Sequence, residues 1–261
     1  MLVKLMSDFL IDGEVFLENV RAVLFDKDGT LIDIHHYWSS IIKLRSSRVA
    51  LKWFNNNDND IIQNHLIDLM GFDVQTCKMK PEGPIGVKPR SFIVNIVADF
   101  VRQSGFNITN DEVEILFNKV DEETSQDMLP LLKVLPGVQE LLIKLNQCGI
   151  QADITSTDVT SRAKIAMKTL NFDKYFTNII GADLVKKSKP APDLANLALN
   201  SMDFEASNVV VIGDHPYDIQ MGESINAGLN IAVLTGISNY SMFRDLNCIV
   251  VKDLSSIQIN Y

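Results

Sequence analysis

The sequence predicts an α/β fold, a doubly wound and mostly parallel sheet with a helical segment inserted early in the chain. Three observations carry that prediction. Strand-like stretches at 23–25, 150–154 and 209–213 each stop at polar or acidic residues, and the first and last are unbroken apolar runs, as in strands buried on both faces of a parallel sheet. From about residue 138 onward such runs alternate with amphipathic helical patterns. Between the first run and the second lie more than a hundred residues of mostly helical pattern, whereas a βα crossover needs only about 30.

Taken in order, the first informative stretch is AVLFDKDGTLI at 22–32. Its apolar part reads as a buried strand, and Asp26 and Asp28 then emerge at the strand's carboxyl end, where open α/β sheets bind ligands. Gly29 permits the tight backbone path that follows. Two carboxylates this close repel one another unless a cation lies between them, and a hard divalent ion held by oxygens fits. The alternative is an ordinary solvated turn, since Asp, Lys and Gly are common turn residues.

The next hundred residues read as helix in HHYWSSIIKLRSSRVALKWF and SFIVNIVADFVRQSGF, where apolar residues recur every three or four positions. The polar tract NNNDND at 55–60 and PEGPIGVKP at 81–89 read as loops. Leu135-Pro136-Gly137 then opens the helix VQELLIKLNQCG, and GIQADITSTD follows as a strand ending near Ser156, with Thr155 and Thr157 as close competitors for any role at its tip. Ser156 could equally cap the helix that begins near Val159. SRAKIAMKTLNF reads as a helix, NIIGADLV as a short strand and loop, and PDLANLALNSM as a helix. Lys189 lies between the last two, in KKSKPAPD, which could also be a solvated loop. VVVIGDHPYD is a strand followed by Asp214 and Asp218, or by a simple turn. IQMGESINAG reads as a helix between this strand and NIAVLTG, and CIVV as a last edge strand.

Composition narrows the classes. The chain has 261 residues, enough for an α/β core and a second domain, and a formal charge of −9. With a pI near 4.9 it lacks the basic balance of nucleic-acid or anionic-membrane binders. No apolar stretch approaches the roughly 20 residues that span a bilayer. The start, MLVKLMSDFLIDGEVF, is interrupted by Asp8 and Asp12 and does not read as a signal peptide. Cys77, Cys148 and Cys248 are odd in number and widely spaced, which points to reduced thiols and a cytoplasmic setting. There is no internal repeat, and neither GxGxxG nor GxxxxGK[ST] occurs.

DKDGTLID resembles the first motif, DxDGT, of the haloacid dehalogenase superfamily, and the other three motifs follow in order. Ser156 stands where the family places a strand-end hydroxyl, Lys189 opens KPAPD, and Asp214 and Asp218 form GDxxxD. An insert at this place resembles the helical cap of the subfamily that includes phosphoglycolate phosphatases, β-phosphoglucomutases and the haloacid dehalogenases. The resemblance implies a Rossmann-like catalytic core at 1–33 and 134–261 and a helical cap at 34–133 that closes over the crevice and excludes water. It also implies the chemistry. Asp26 would attack phosphorus to form an aspartyl-phosphate, while Asp28 would protonate the leaving oxygen and then activate water. Ser156, Thr157 and Lys189 would bind the phosphate. Mg²⁺ would be held by the Asp26 carboxylate, the Asp28 backbone carbonyl and Asp214, with Asp218 orienting the cluster from behind.

Position 28 separates branches of the family: dehalogenases and phosphonate hydrolases lack a carboxylate there, so Asp28 points to phosphoryl transfer. Lys27, between two inward carboxylates, is expected to point elsewhere and has no assigned role. The reading is therefore a phosphatase acting on a small phosphorylated metabolite, phosphoglycolate-like or a sugar phosphate, as a monomer or homodimer without nucleic-acid or membrane partners. A β-phosphoglucomutase-like phosphotransferase and a non-catalytic binding subunit are the alternatives. In or near the insert, His35, His36, Arg45, Arg48, Lys88 and Arg90 are the basic groups that could meet a substrate anion, each with surface solvation as its plainer reading.

Overall fold

The computed structural model describes residues 7–54 and 59–260. They pack as two compact units, one of Met1–Asp33 with Lys133–Tyr261 and the other of Ile34–Leu132. The chain begins with β1 (Asp8–Ile11) and β2 (Glu14–Leu17), then β3 (Ala22–Phe25). In the inserted unit follow α1 (Ile34–Trp53), α2 (Asn59–Leu69), β4 (Phe72–Asp73), β5 (Lys78–Met79), α3 (Arg90–Gln103) and α4 (Asn110–Gln126). The first unit resumes with α5 (Val138–Cys148), β6 (Gln151–Ser156), α6 (Thr160–Thr169), β7 (Asn178–Gly181) and α7 (Asp193–Leu199). It closes with β8 (Val209–Gly213), α8 (Pro216–Ser224), β9 (Leu229–Val233), β10 (Ile249–Val251) and β11 (Ile257–Asn260).

Six strands form a parallel sheet in the order β10-β9-β8-β3-β6-β7. β3 lies inside it, and all four of its residues are fully buried, which explains why AVLF shows no polar alternation. On one face Leu24, Val209 and Val211 pack with Leu194, Ala195 and Ala198 of α7 and Met221 of α8. Burial of such side chains contributes about 1.5–3 kcal/mol each for the larger aliphatics.

A second sheet was not expected. β11, β1 and β2 make a three-stranded antiparallel sheet. Asp12 and Gly13, with φ of 49° and 88°, turn the β1-β2 hairpin, and two positive φ values are what a type I′ turn requires. Along β11, buried Ile257 and Ile259 alternate with exposed Gln258 and Asn260. CIVV does supply an edge strand, β10, but β11 follows it, so it is not the last strand of the chain. The tract 55–60 falls largely at 55–58, outside the described residues, while 59–60 already belong to α2.

Within the inserted unit, Arg45, Arg48, Arg90, His35 and His36 are engaged with protein partners, while Lys88 is exposed. Arg45, 3% exposed, bonds Asp121 at 2.9 Å and lies over the Phe117 ring. Arg90 pairs with Asp121 and, at 2.6 Å, with Glu114. Arg48 pairs with Glu123 on the surface. His35 Nδ1 accepts from the Met79 amide, and His36 Nε2 meets the Pro130 carbonyl oxygen. α4 starts at a capping box, Thr109 with Glu112.

Candidate active site

Three adjacent strands deliver the functional groups. β3 lies between β6 and β8, so Asp26, Ser156 and Asp214 leave the sheet at neighbouring carboxyl ends. The Asp26 amide is still bonded to Ile212 O of β8 at 2.8 Å, which holds the end of β3 to that strand. Lys189, from the segment between β7 and α7, places Nζ 2.7 Å from Asp26 Oδ1 and 2.6 Å from Asp218 Oδ1. Asp218, in the first turn of α8, also accepts from the His215 amide at 3.0 Å as part of a capping box. The Asp214 carboxylate accepts from the Ile237 amide at 2.9 Å.

Asp26, Asp214 and Asp218 each offer an oxygen within 4.8 Å of the others, and all three side chains are buried. Burial raises the Asp26 carboxyl above its ordinary range, with Lys189 opposing and Asp218 reinforcing the shift. Asp214 is raised well above it by burial and then by Asp26 and Asp218. Burial alone would lower the Lys189 pKa, but Asp218 and Asp26 outweigh it and leave the ammonium more firmly charged than an ordinary lysine. One ammonium among three buried carboxylates leaves an excess of negative charge. That hard, all-oxygen donor set fits a divalent cation such as Mg²⁺.

Asp28 is not part of that cluster. Its Oδ1 lies 2.8 Å from the Lys27 ammonium, and burial pushes its carboxyl up to about 6 although Lys27 pulls it down. Lys27 therefore differs from the expectation: it is fully buried and bonds both Asp28 and Asp158. At the end of β6, Ser156 is not the cap of α6; that position is Val159, without a side-chain bond. Its Oγ instead accepts from the Asp158 amide at 3.1 Å. Thr155 is fully buried and Thr157 only half-buried. His215, beside Asp214, is pushed down to about 4 by burial, so its ring stays neutral at ordinary pH.

Glycines make room for the carboxylates, one of them unrecognised from sequence. Gly29 has φ +96°, and a Cβ there would lie 2.6 Å from Asp214 Cγ. At Gly236, after β9, a Cβ would overlap the same carboxylate. Thr235 next to it ties the loop down by donating to Gly29 O at 2.6 Å. Gly29→Ala is expected to lower stability by about 1–3 kcal/mol through backbone strain and to cut kcat by displacing Asp214. Urea denaturation and steady-state kinetics on the same preparation check both.

A recess of about 700 Å³ lies elsewhere in this unit, lined by Lys164, Lys168, Asp173, Leu184 and Leu197 among others. It contains none of the converging carboxylates.

Comparisons with known proteins show the family and the fold. The model of the haloacid dehalogenase-like hydrolase family matches residues 20–226. Pyrophosphatase PpaX of Bacillus velezensis is 24% identical over 216 residues, covering 82% of this chain and 83% of that protein. A protein from Haemophilus somnus, solved as a predicted phosphoglycolate phosphatase, superposes with a TM-score of 0.69 at 17% identity, over 90% of this chain and 95% of the other. CbbY of Rhodobacter sphaeroides, solved with phosphate, superposes with a TM-score of 0.61 at 15% identity, over 90% and 95% of the two chains.

Proposed function

The chain belongs to the haloacid dehalogenase-like hydrolases, and from that premise we propose that it is a Mg²⁺-dependent phosphatase of small phosphate monoesters, working through an aspartyl-phosphate. The observation that carries this reading is the Lys189 ammonium bonded to Asp26 and Asp218 beside Asp214. It puts a carboxylate nucleophile and a fixed positive charge at one strand end.

A phosphate monoester dianion repels nucleophiles, so the site must neutralise its oxygens and hold the nucleophile in line. Lys189 supplies a charge that burial does not remove, and the Ser156 hydroxyl, with Thr157 near it in the chain, supplies hydrogen bonding. Mg²⁺, held by the Asp26 carboxylate, Asp214 and the Asp28 backbone carbonyl, would add positive charge to the phosphoryl oxygens. Asp218 fixes Lys189 and stands close enough to the other carboxylates to steady them. Asp26 attacks phosphorus, and Asp28 gives its proton to the departing oxygen. Asp28 then takes a proton from the water that cleaves the aspartyl-phosphate. A carboxyl raised to about 6 suits that exchange near neutral pH. A cytoplasmic setting is part of the same reading, on the strength of three widely spaced cysteines. Among the described residues no helix is long and apolar enough to cross a membrane.

The test is phosphate release from 2-phosphoglycolate, hexose phosphates, nucleoside monophosphates and inorganic pyrophosphate, the last because a relative is named for it. Each is run with Mg²⁺ and with EDTA. Release from at least one monoester, abolished by EDTA, is the expected result. Interconversion of glucose phosphates without release would replace the phosphatase by a phosphotransferase, and silence on every substrate would refute both.

A further inference from the structure

We propose that Lys27, anchored by Asp158, is a positioning residue that holds the Asp28 carboxyl group for proton transfer to the leaving oxygen; this rests on the phosphatase reading. Lys27 is fully buried, and its Nζ lies 2.8 Å from Asp28 Oδ1 and 3.0 Å from Asp158 Oδ2. A buried ammonium is costly unless paired, and such pairs add little net stability even when well made. Stability is therefore a poor account of a lysine at this place.

The partners are themselves fixed. Asp158 Oδ1 accepts from the Val159 amide at 2.8 Å, and the Asp158 amide donates to Ser156 Oγ at 3.1 Å. A continuous chain of bonds thus runs from Ser156 at the tip of β6 through Asp158 and Lys27 to Asp28 beyond β3. The backbone around Asp28 is pinned separately, by Leu31 N and Ile32 N to Lys27 O and by Gly29 N to Ile32 O. Those bonds place the Asp28 backbone, and the Lys27 ammonium then selects the direction of its carboxylate. A proton donor or acceptor must be within about 2.6–3.2 Å of the oxygen it serves, so a freely rotating Asp28 would act less often.

In the step concerned, a bond forms between an Asp26 oxygen and phosphorus as the phosphorus–oxygen bond to the leaving group breaks. The Asp28 proton passes to that oxygen. In the second half Asp28 takes a proton from water as the water oxygen bonds phosphorus and the Asp26 carboxylate departs. Only the first transfer depends on the basicity of the leaving group, and that supplies a readout that general damage to the fold does not mimic.

The experiment compares kcat/KM for 4-nitrophenyl phosphate, whose leaving group needs little protonation, with benzyl phosphate, whose alkoxide needs it strongly. Wild type, Asp28→Asn and Lys27→Met are measured with Mg²⁺. Lys27→Met is expected to lose about 100-fold on benzyl phosphate and no more than about fivefold on 4-nitrophenyl phosphate, moving towards the Asp28→Asn pattern. Because Lys27→Met leaves two buried carboxylates unpaired, the double variant Lys27→Met/Asp158→Asn, which removes opposite charges together, is measured beside it and is expected to show the same selectivity. Equal losses on both substrates, or no loss on benzyl phosphate, in whichever variant folds would overturn the assignment. A wild type inactive on both esters and on every monoester named above would overturn the phosphatase reading, and the role of Lys27 with it.

Discussion

Asp26→Asn is expected to abolish phosphate release, with kcat lower by a factor on the order of 10⁴ or more, the scale reached when a covalent nucleophile is deleted. The amide has nearly the shape of the carboxylate and its oxygen can still accept from Lys189, which lies 2.7 Å away in the wild type. It cannot attack phosphorus. The same change removes one of three crowded carboxylates, and burial already raises the Asp26 carboxyl, so the folded state loses a repulsion. Thermal stability should therefore hold steady or rise while activity disappears. Single-turnover phosphate release and a melting curve on one sample check the two halves, and turnover within tenfold of wild type would contradict the assignment of Asp26 as nucleophile.

Lys189→Met is expected to damage both properties. Its ammonium neutralises Asp26 and Asp218, and all three side chains are almost wholly withdrawn from solvent. Removing one partner of a buried ionic group typically costs about 3–5 kcal/mol, because the remaining charge is stranded. The pH dependence has a definite sign. Asp26 and Asp214 already have folded-state pKa values raised above the ordinary 3.8, and loss of the lysine raises them further. The folded protein then holds more protons than the unfolded chain above that value, so the variant's stability falls as pH rises. Urea denaturation should show a larger deficit near pH 7.5 than near pH 5. Adding Mg²⁺ should recover part of it at the higher pH, since a cation bound only by the folded state stabilises it. A deficit independent of pH and Mg²⁺ would mean that Lys189 does not balance this carboxylate cluster.

Asp26 and Asp214 were legible because each follows a buried, unbroken apolar run, and Ser156 because it ends a strand, whereas Lys189 and Asp218 were placed by the order of the motifs. AVLF, VVVIG and the ITS end of β6 pair in one sheet, and parallel strands necessarily put their carboxyl ends side by side. Lys27 was misjudged for an equally physical reason. Alternation of side chains holds in an extended strand, but beyond Phe25 the chain folds back on itself, with Leu31 N bonded to Lys27 O and Gly29 at positive φ. Residue 27 therefore need not point away from its neighbours. The hairpin at Asp12-Gly13 did carry a local signal, a DG pair between two short runs rich in apolar residues, FLI and EVFL. Its partner β11 lies at the other end of the chain, and no local pattern announces so distant a pairing. Arg45 and Arg90 looked available for a substrate anion because their shared partner Asp121 is remote in sequence. The space that Gly236 leaves for Asp214 is likewise a matter of two loops meeting.

A covalent phosphoryl group at Asp26 is central to the proposed reaction, and borohydride trapping during turnover tests for it most directly. An acyl phosphate is reduced where a free carboxylate is not, so the protein is mixed with Mg²⁺ and its best monoester, treated with borohydride and mapped by peptide mass spectrometry. Homoserine in place of aspartate at position 26, dependent on substrate, is the expected result. Steady phosphate release with an unaltered Asp26, or with the reduced residue elsewhere in the chain, would contradict it.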